Sequence, residues 1–86
     1  MNLAPDSLTI ERLFIEGVIC LMRRHMQEGV EKLSQVCEHE KVDSPKNDFT
    51  EYVFKKVHNF VAYGLQCLGS FEKCKYHYQY QKQKFP

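Results

Sequence analysis

The first part of the chain carries apolar and small residues at a helical spacing. Steps of three and four residues separate Ile10, Leu13, Phe14, Gly17, Val18 and Leu21. Because an α-helix completes a turn every ~3.6 residues, these positions share one face and predict an amphipathic helix. The apolar surface is widened almost around the helix by Ile15, Ile19, Cys20 and Met22. We therefore expect this helix to be covered on most sides, with Asp6 or Ser7 capping its start.

A second helix is predicted immediately after the first, ending near Lys41. Its inner face consists of apolar and small residues, namely Met26, Gly29, Val30, Leu33, Val36 and Cys37. No proline or loop-like run separates the two helices, so a tight turn should place them antiparallel. Residues 42–48 (VDSPKND) form the clear loop. Ser44, Pro45 or Asp48 can begin the next helix, since proline is tolerated in a first turn.

Two further helices are predicted after the loop. The third has apolar or small residues at Phe49, Tyr52, Val53, Val57, Phe60, Val61, Gly64, Leu65 and Leu68. A turn at 69–70 precedes a fourth helical stripe that contains Cys74 and Tyr78. Residues 76–80 also alternate tyrosine with polar residues, which is a strand pattern, but a lone strand has nothing to pair with. The sequence therefore predicts an all-α fold of four antiparallel helices.

Two consecutive helical hairpins raise the question of an internal repeat. The second hairpin places large, small and turn residues at His58, Val61, Ala62, Leu65, Gly69, Phe71, Cys74, Tyr78 and Pro86. In this spacing it resembles the tetratricopeptide repeat (TPR), a helical hairpin of roughly 34 residues. The first hairpin resembles the repeat more loosely, through Leu13, Gly17, Cys20, Met26, Gly29, Leu33 and Val36. It departs from the pattern at Glu16, Arg24 and Lys41.

The resemblance divides the chain into four stretches. They are a lead at 1–9, a first TPR-like hairpin at 10–43, a loop and helix extension at 44–54, and a second hairpin at 55–86. A generic four-helix bundle is the main alternative, and a compact death-type domain is another. The second unit closes at Pro86 without a polar capping helix, so we expect a fragment of a longer array or an open end covered by a partner.

The resemblance also implies a binding surface. In this family the first helices of successive units line a concave face. The corresponding residues here are Glu11, Phe14, Val18, Leu21, Met22, Lys56, Asn59, Tyr63 and Gln66. Phe14 and Val18 replace the lysine and asparagine of relatives that grip acidic chaperone tails, so no such clamp is expected.

The implied function is that of a non-enzymatic protein–protein interaction module, an adaptor or scaffold. It would bind a helix or peptide of another protein, or a second copy of the chain, through the apolar helical face. The alternative is that the same side chains belong to the core, covered by residues 1–9 or by a second copy.

The charge distribution suggests a second function from a different class. The formal net charge is only +1, which gives no general reason to expect nucleic acid or a membrane as a partner. Residues 73–86, however, contain four lysines and no acidic residue. Lysines interleaved with aromatic residues suit RNA or single-stranded DNA. The candidate contacts are Lys73, Lys75, Tyr76, Tyr80, Lys82 and Lys84.

Catalytic and cofactor chemistry finds little support in the sequence. The chain contains no glycine-rich phosphate loop, nucleophile elbow, paired-carboxylate motif or HExxH motif, so we expect neither an enzyme nor a cofactor. Its cysteines, Cys20, Cys37, Cys67 and Cys74, lie within helical patterns, which favours free thiols over disulfides. Two short pairs, Cys37 with His39 and Cys74 with His77, are the candidates for a metal. Zinc fingers usually close a loop with such pairs, but the segment between these two is rich in predicted helix and has no knuckle glycine. We therefore expect no metal.

The N-terminal sequence has no basic start typical of a signal peptide. The longest apolar-rich stretch, 13–22, is interrupted by Glu16 and is shorter than the ~20 residues that cross a membrane. An intracellular location, cytoplasmic or nuclear, is the expectation.

Overall fold

The computed structural model describes residues 7–86 as four α-helices. They are α1 (Ser7–Met22), α2 (Met26–Val42), α3 (Asp48–Cys67) and α4 (Phe71–Lys84). All regular secondary structure in this part of the chain is helical, which confirms the all-α prediction and the helical state of 76–80. Residues 7–9, predicted as part of the lead, belong to α1. The predicted cap at Asp6 lies outside the described residues.

The helices pack as two hairpins, α1 with α2 and α3 with α4. The hairpins join chiefly through α2 and α3, and α1 also contacts α3. One shared core lies between them, in which Leu33 and Val36 of α2 and Val53, Val57 and Val61 of α3 have no solvent exposure. The apolar faces predicted from helical spacing therefore meet in a single interior.

The start of α3 is fixed by a reciprocal cap. The Asn47 side chain accepts a hydrogen bond from the Thr50 backbone N–H at 2.9 Å, and Thr50 Oγ1 accepts one from the Asn47 backbone N–H at 3.0 Å. Two donors that the helix itself leaves unpaired are thereby satisfied. With Asn47 as its cap, α3 begins at Asp48, which is one of the predicted starts, and not at Ser44 or Pro45.

Small residues bring the helices of the first hairpin close together. A Cβ atom added at Gly17 would lie 2.5 Å from Leu33 Cγ, and one added at Gly29 would lie 2.7 Å from Leu21 Cδ2. Both distances are too short for a side chain. The two glycines therefore let the backbones of α1 and α2 approach each other.

The turns within the two hairpins have the same hydrogen bonds. In the first, the backbone N–H of His25 donates to Cys20 O at 2.8 Å; in the second, that of Ser70 donates to Leu65 O at 2.9 Å. Each turn has one residue with positive φ, Arg24 at 68° and Gly69 at 82°. Arg24 thus adopts the left-handed conformation for which the repeat pattern provides glycine.

The outer side of α1 is less covered than predicted. Leu8, Ile15, Ile19 and Met22 are all exposed, with 75% of Met22 accessible to solvent. The expectation that this helix is covered on most sides is therefore not met at these four positions. In residues 7–86 no helix combines the length and the hydrophobicity needed to cross a membrane.

Candidate functional site

A groove of about 740 Å³ lies between α1 and α3. One wall is the C-terminal end of α1 with the following turn, and the other is a stripe along α3. The residues that line it are Val18, Leu21, Met22, Arg24, Tyr52, Lys56, Asn59, Phe60 and Tyr63. The five α3 residues fall at 52, 56, 59, 60 and 63, so they share one face over about three helical turns.

The floor of the groove is apolar and supported from below. Val18 and Phe60 are half-buried there, and Leu21 is buried. Phe14, of which only 6% is exposed, packs edge-to-face beneath them, with ring-centre distances of 5.6 Å to Phe60 and 6.4 Å to Tyr52. Phe14 is therefore a core residue that packs against two aromatic residues of α3.

The rim of the groove is polar and basic. Arg24 and Lys56 are exposed on opposite sides, and Asn59, Tyr52 and Tyr63 add hydrogen-bonding groups. None of the described residues that line the groove carries a carboxylate. Its chemistry is thus that of an apolar channel with positively charged edges.

Six of the nine residues predicted to bind a partner line this groove. The other three do not: Phe14 lies in the core, while Glu11 and Gln66 are not among the lining residues. Glu11 accepts a weak hydrogen bond from the Asn47 side chain at 3.4 Å.

Sequence reasoning missed three lining residues, Arg24, Tyr52 and Phe60. The aromatic pair was identified only as part of the apolar face of α3. Arg24 was identified only as a departure from the turn glycine of the repeat pattern. Tyr52 and Phe60 lie on the same helical face as Lys56 and Tyr63, and this spacing was the signal that could have identified them.

The basic C-terminal helix is partly engaged within the fold. Of the six candidate nucleic-acid contacts, Lys84 donates to Glu40 Oε2 at 2.6 Å and Tyr80 donates to Glu40 Oε1 at 2.9 Å. Tyr80 also stacks on the His58 ring, with ring centres 4.1 Å apart. Tyr76 contacts the edge of its neighbour His77. The remaining lysines, Lys73, Lys75 and Lys82, are exposed.

A buried carboxylate, that of Glu40, joins the helices α2, α3 and α4. Glu40 of α2 is only 3% exposed. Besides Tyr80 and Lys84 of α4, it contacts His58 of α3, whose Nε2 lies 2.8 Å from Glu40 Oε1. Burial alone would raise the pKa of Glu40, but the hydrogen bonds from Lys84, His58 and Tyr80 outweigh burial and lower it. Glu40 is therefore an ionised acceptor, and His58 Nε2 must carry the proton between them.

His58 has a second neighbour on its other ring nitrogen. Its Nδ1 lies 2.9 Å from Nδ1 of His77 in α4. Burial lowers the pKa of His58 despite the adjacent carboxylate, and burial with repulsion from His58 and Lys41 lowers the pKa of His77 to about 4. Both rings are therefore neutral near pH 7, and one Nδ1–H is shared between two nitrogen atoms.

Cys37 completes a cluster of three ligating side chains. Its Sγ and ring nitrogens of His58 and His77 all lie within 4.8 Å of one another. Burial, with a contribution from Glu40, raises the pKa of the Cys37 thiol to about 12. All four cysteines are free thiols, as expected.

The cluster combines one member from each of the two metal-binding pairs considered from the sequence. Cys37 is present without His39, which pairs instead with Asp43 at 3.3 Å. His77 is present without Cys74, which is buried in the core cluster. Spacing within a helix could not have indicated this set, because its members come from α2, α3 and α4.

Comparisons with known proteins give no relatives for this chain. No protein-family model matches it, and neither the curated proteins nor the solved structures provide a match.

Proposed function

We propose that the chain is a non-enzymatic protein–protein interaction module, built from two TPR-like hairpins, that binds a segment of another protein. The binding site is the groove between α1 and α3. The observation that carries the proposal is that Val18, Leu21, Met22, Lys56, Asn59 and Tyr63, selected from the sequence as a binding face, line one groove. An adaptor of this kind would act inside the cell, in the cytoplasm or the nucleus.

The groove favours an amphipathic helix with acidic flanks. Its stripe along α3, from Tyr52 to Tyr63, is about 17 Å long at ~1.5 Å per residue, which matches three turns of a bound helix. The apolar floor would take side chains spaced three and four residues apart. Arg24 and Lys56 on the rim would attract carboxylates, which favours an acidic partner over a basic one.

The exposure of Met22 supports the same proposal. Met22, which lines the groove, is 75% exposed. Methionine has a flexible side chain and is often used at binding surfaces. A partner helix that covers Met22 and the neighbouring floor would bury apolar area worth about 1.5–3 kcal/mol for each fully covered large side chain.

A pair of labelled model peptides tests the proposal. One is an amphipathic helix with leucines at i, i+3 or i+4, and i+7 and with glutamates at the other positions; its companion has lysines in place of the glutamates. Fluorescence anisotropy should show binding of the acidic peptide and at least tenfold weaker binding of the basic one. Equal affinity for the two peptides, or no binding of either, contradicts the proposal.

Matched variants locate the binding site. Met22→Glu and Lys56→Glu should each weaken binding of the acidic peptide by about tenfold, which corresponds to ~1.4 kcal/mol. Phe71→Glu and Lys75→Glu, which alter exposed apolar and basic side chains outside the groove, should leave the affinity unchanged.

Light scattering during size exclusion is the companion measurement and gives the oligomeric state. A dimer that Met22→Glu converts to a monomer would make a second copy of the chain the occupant and would overturn the proposal of a separate partner.

The nucleic-acid alternative receives less support. Two of its six candidate residues, Tyr80 and Lys84, are hydrogen-bonded to the buried carboxylate of Glu40. The three exposed lysines, Lys73, Lys75 and Lys82, would have to provide most of the phosphate contacts. We therefore retain protein binding in the groove as the proposed function.

A further inference from the structure

We propose that Cys37, His58 and His77 bind a zinc ion between α2, α3 and α4, and that Glu40 orients His58 for this role. The three side chains come from three different helices and place one sulfur and two nitrogen donors within 4.8 Å of one another. This site is separate from the groove and independent of the function proposed for it.

The donor set suits zinc. Thiolate and imidazole are the ligands that zinc prefers, and three protein ligands leave a fourth position for water. In a tetrahedral zinc site, neighbouring donor atoms lie about 3.3–3.6 Å apart, as follows from the usual Zn–N and Zn–S distances. The two Nδ1 atoms, 2.9 Å apart, would need to separate by only about half an ångström to reach this spacing.

Glu40 provides the second, independent observation. Its carboxylate oxygen lies 2.8 Å from His58 Nε2 and accepts the proton on that nitrogen. The Nδ1 lone pair of His58 is therefore directed toward His77. A carboxylate that accepts the far N–H of a ligating histidine is a recurrent feature of zinc sites, where it fixes the tautomer and the ring orientation.

The displaced protons are accounted for when the ion binds. The Cys37 thiol releases its proton to solvent and coordinates as thiolate. His77 moves its ring proton from Nδ1 to Nε2, while His58 keeps its proton on Nε2. The zinc ion, the Cys37 thiolate, the Glu40 carboxylate and the Lys84 ammonium together carry one positive charge. The partly exposed side of the cluster at His77 leaves this charge within reach of solvent.

The location allows an ion to enter. Cys37 and His58 are buried, whereas His77 is only partly buried. The side of the cluster formed by α4 therefore provides access for the ion and for a water molecule as its fourth ligand. Once bound, the ion would link α2, α3 and α4, so metal binding and folding stability should be coupled.

Cobalt is the probe for the coordinating atoms. Titration of the metal-free full chain with Co²⁺ should give thiolate-to-cobalt charge-transfer absorption in the near ultraviolet and tetrahedral d–d bands, saturating at one ion per chain. Cys37→Ser should abolish the charge-transfer absorption. Cys74→Ser is the matched control, because Cys74 is also a buried cysteine but does not belong to the cluster, and it should leave the spectrum unchanged.

Zinc affinity tests the two supporting residues. His77→Gln should weaken zinc binding by at least tenfold, measured by competition with a chromogenic chelator. Glu40→Gln should keep the charge-transfer absorption but weaken binding about 10–100-fold, as expected for a residue that acts through a ligand. Circular dichroism of each metal-free variant checks that it is folded. If Cys37→Ser does not fold, the zinc affinity of His77→Gln is compared with that of Cys74→Ser, and only His77→Gln should bind zinc more weakly.

Two results would overturn the inference. One is the absence of charge-transfer absorption in the unaltered chain. The other is absorption that persists in folded Cys37→Ser, or that disappears with Cys67→Ser, because the ion would then bind through the exposed Cys67 thiol.

Discussion

The backbone of Arg24 marks a position where residue type and conformation disagree. Its φ of 68° lies in the left-handed region, as does the 82° of Gly69 at the equivalent place in the second turn. A side chain other than glycine is strained in this region, because its Cβ approaches the neighbouring peptide. The first turn is therefore less favourable than the second, although their hydrogen bonds match.

Exchanging glycine between these turns should change stability in opposite directions. Arg24→Gly should raise the free energy of unfolding by about 0.5–1 kcal/mol, because it removes the strain at positive φ. Gly69→Ala should lower it by about 1 kcal/mol; a Cβ there meets no atom within 4 Å, so the loss would come from the backbone alone. Urea denaturation measures both. A destabilised Arg24→Gly variant would mean that contacts of the arginine outweigh the strain.

The contact between α1 and α2 depends on the absence of a side chain at Gly17. Alanine there would place its Cβ 2.5 Å from Leu33 Cγ and 2.8 Å from Leu33 Cδ2. Leu33 has no solvent exposure, so its side chain can move only within the core. If residue 17 gains even one methyl group, either Leu33 must repack or the two helices must separate.

Gly17→Ala should therefore destabilise the protein by about 1–3 kcal/mol, the usual range for overpacking. This is a net loss: the cost of overpacking should exceed the gain of about 1 kcal/mol in helix propensity that alanine provides. Thermal unfolding followed by circular dichroism measures the change. Gln35→Ala, at an exposed position of α2, is the control and should leave the melting temperature nearly unchanged; a Gly17→Ala variant as stable as the unaltered chain would mean that the helices are less closely packed.

The junction of α2, α3 and α4 depends on one buried carboxylate. The Glu40 side chain is 1% exposed and accepts hydrogen bonds from Tyr80, Lys84 and His58, which belong to the other two helices. Its removal would leave the His58 N–H and the Tyr80 hydroxyl without an acceptor inside the protein. Such unpaired groups are costly because they also lose their hydration.

Glu40→Ala should therefore lower the free energy of unfolding by about 3 kcal/mol, measured with a chelator present so that metal makes no contribution. Glu38→Ala is the matched control. Glu38 lies in the same helix and pairs with Lys41 at 3.8 Å, but 76% of its side chain is exposed, so its loss should be below about 0.5 kcal/mol. Equal effects of the two substitutions would show that the buried network adds no stability.

Helices and turns could be predicted from the sequence because they depend on neighbouring residues. The stripe that contains Leu33 and Val36 predicts α2 and its buried side by spacing alone. The groove could be predicted in part, through Val18, Met22 and Tyr63, because the repeat pattern assigns them to one face. Which residues of that face stay exposed depends on how α1 crosses α3. For this reason Phe14, which was assigned to the binding face, lies in the core.

The cluster of Cys37, His58 and His77 could not be predicted in this way. Successive members are separated by 21 and 19 residues and belong to different helices. Motif reasoning compares ligands that are two to four residues apart, and it therefore paired these residues with His39 and Cys74. Only the packing of three helices brings the actual set together.

At the scale of the whole molecule, the two hairpins share one hydrophobic interior. Leu33 of α2 faces Gly17 of α1, and α2 also packs against α3. The core cluster includes residues of all four helices, from Ile10 in α1 to Cys74 in α4. Because neither hairpin has a separate core, we expect a single cooperative unfolding transition.

The distribution of tyrosines makes this expectation testable. All five tyrosines belong to α3 and α4, and the chain has no tryptophan. The tyrosine signal in near-ultraviolet circular dichroism therefore reports on the second hairpin, while far-ultraviolet circular dichroism reports on all helices. Leu33→Ala, a substitution in the first hairpin, should destabilise the protein by about 2–5 kcal/mol because it creates a cavity in the core.

Both signals of Leu33→Ala should shift to the same lower melting temperature. Leu68→Ala, which removes a side chain that is 44% exposed, is the control and should shift neither by more than a few degrees. If the hairpins were independent repeats, the tyrosine signal of Leu33→Ala would keep its original midpoint while part of the far-ultraviolet signal was lost earlier. The shared core predicts coincidence, since loss of α2 packing removes the surface on which α3 is buried.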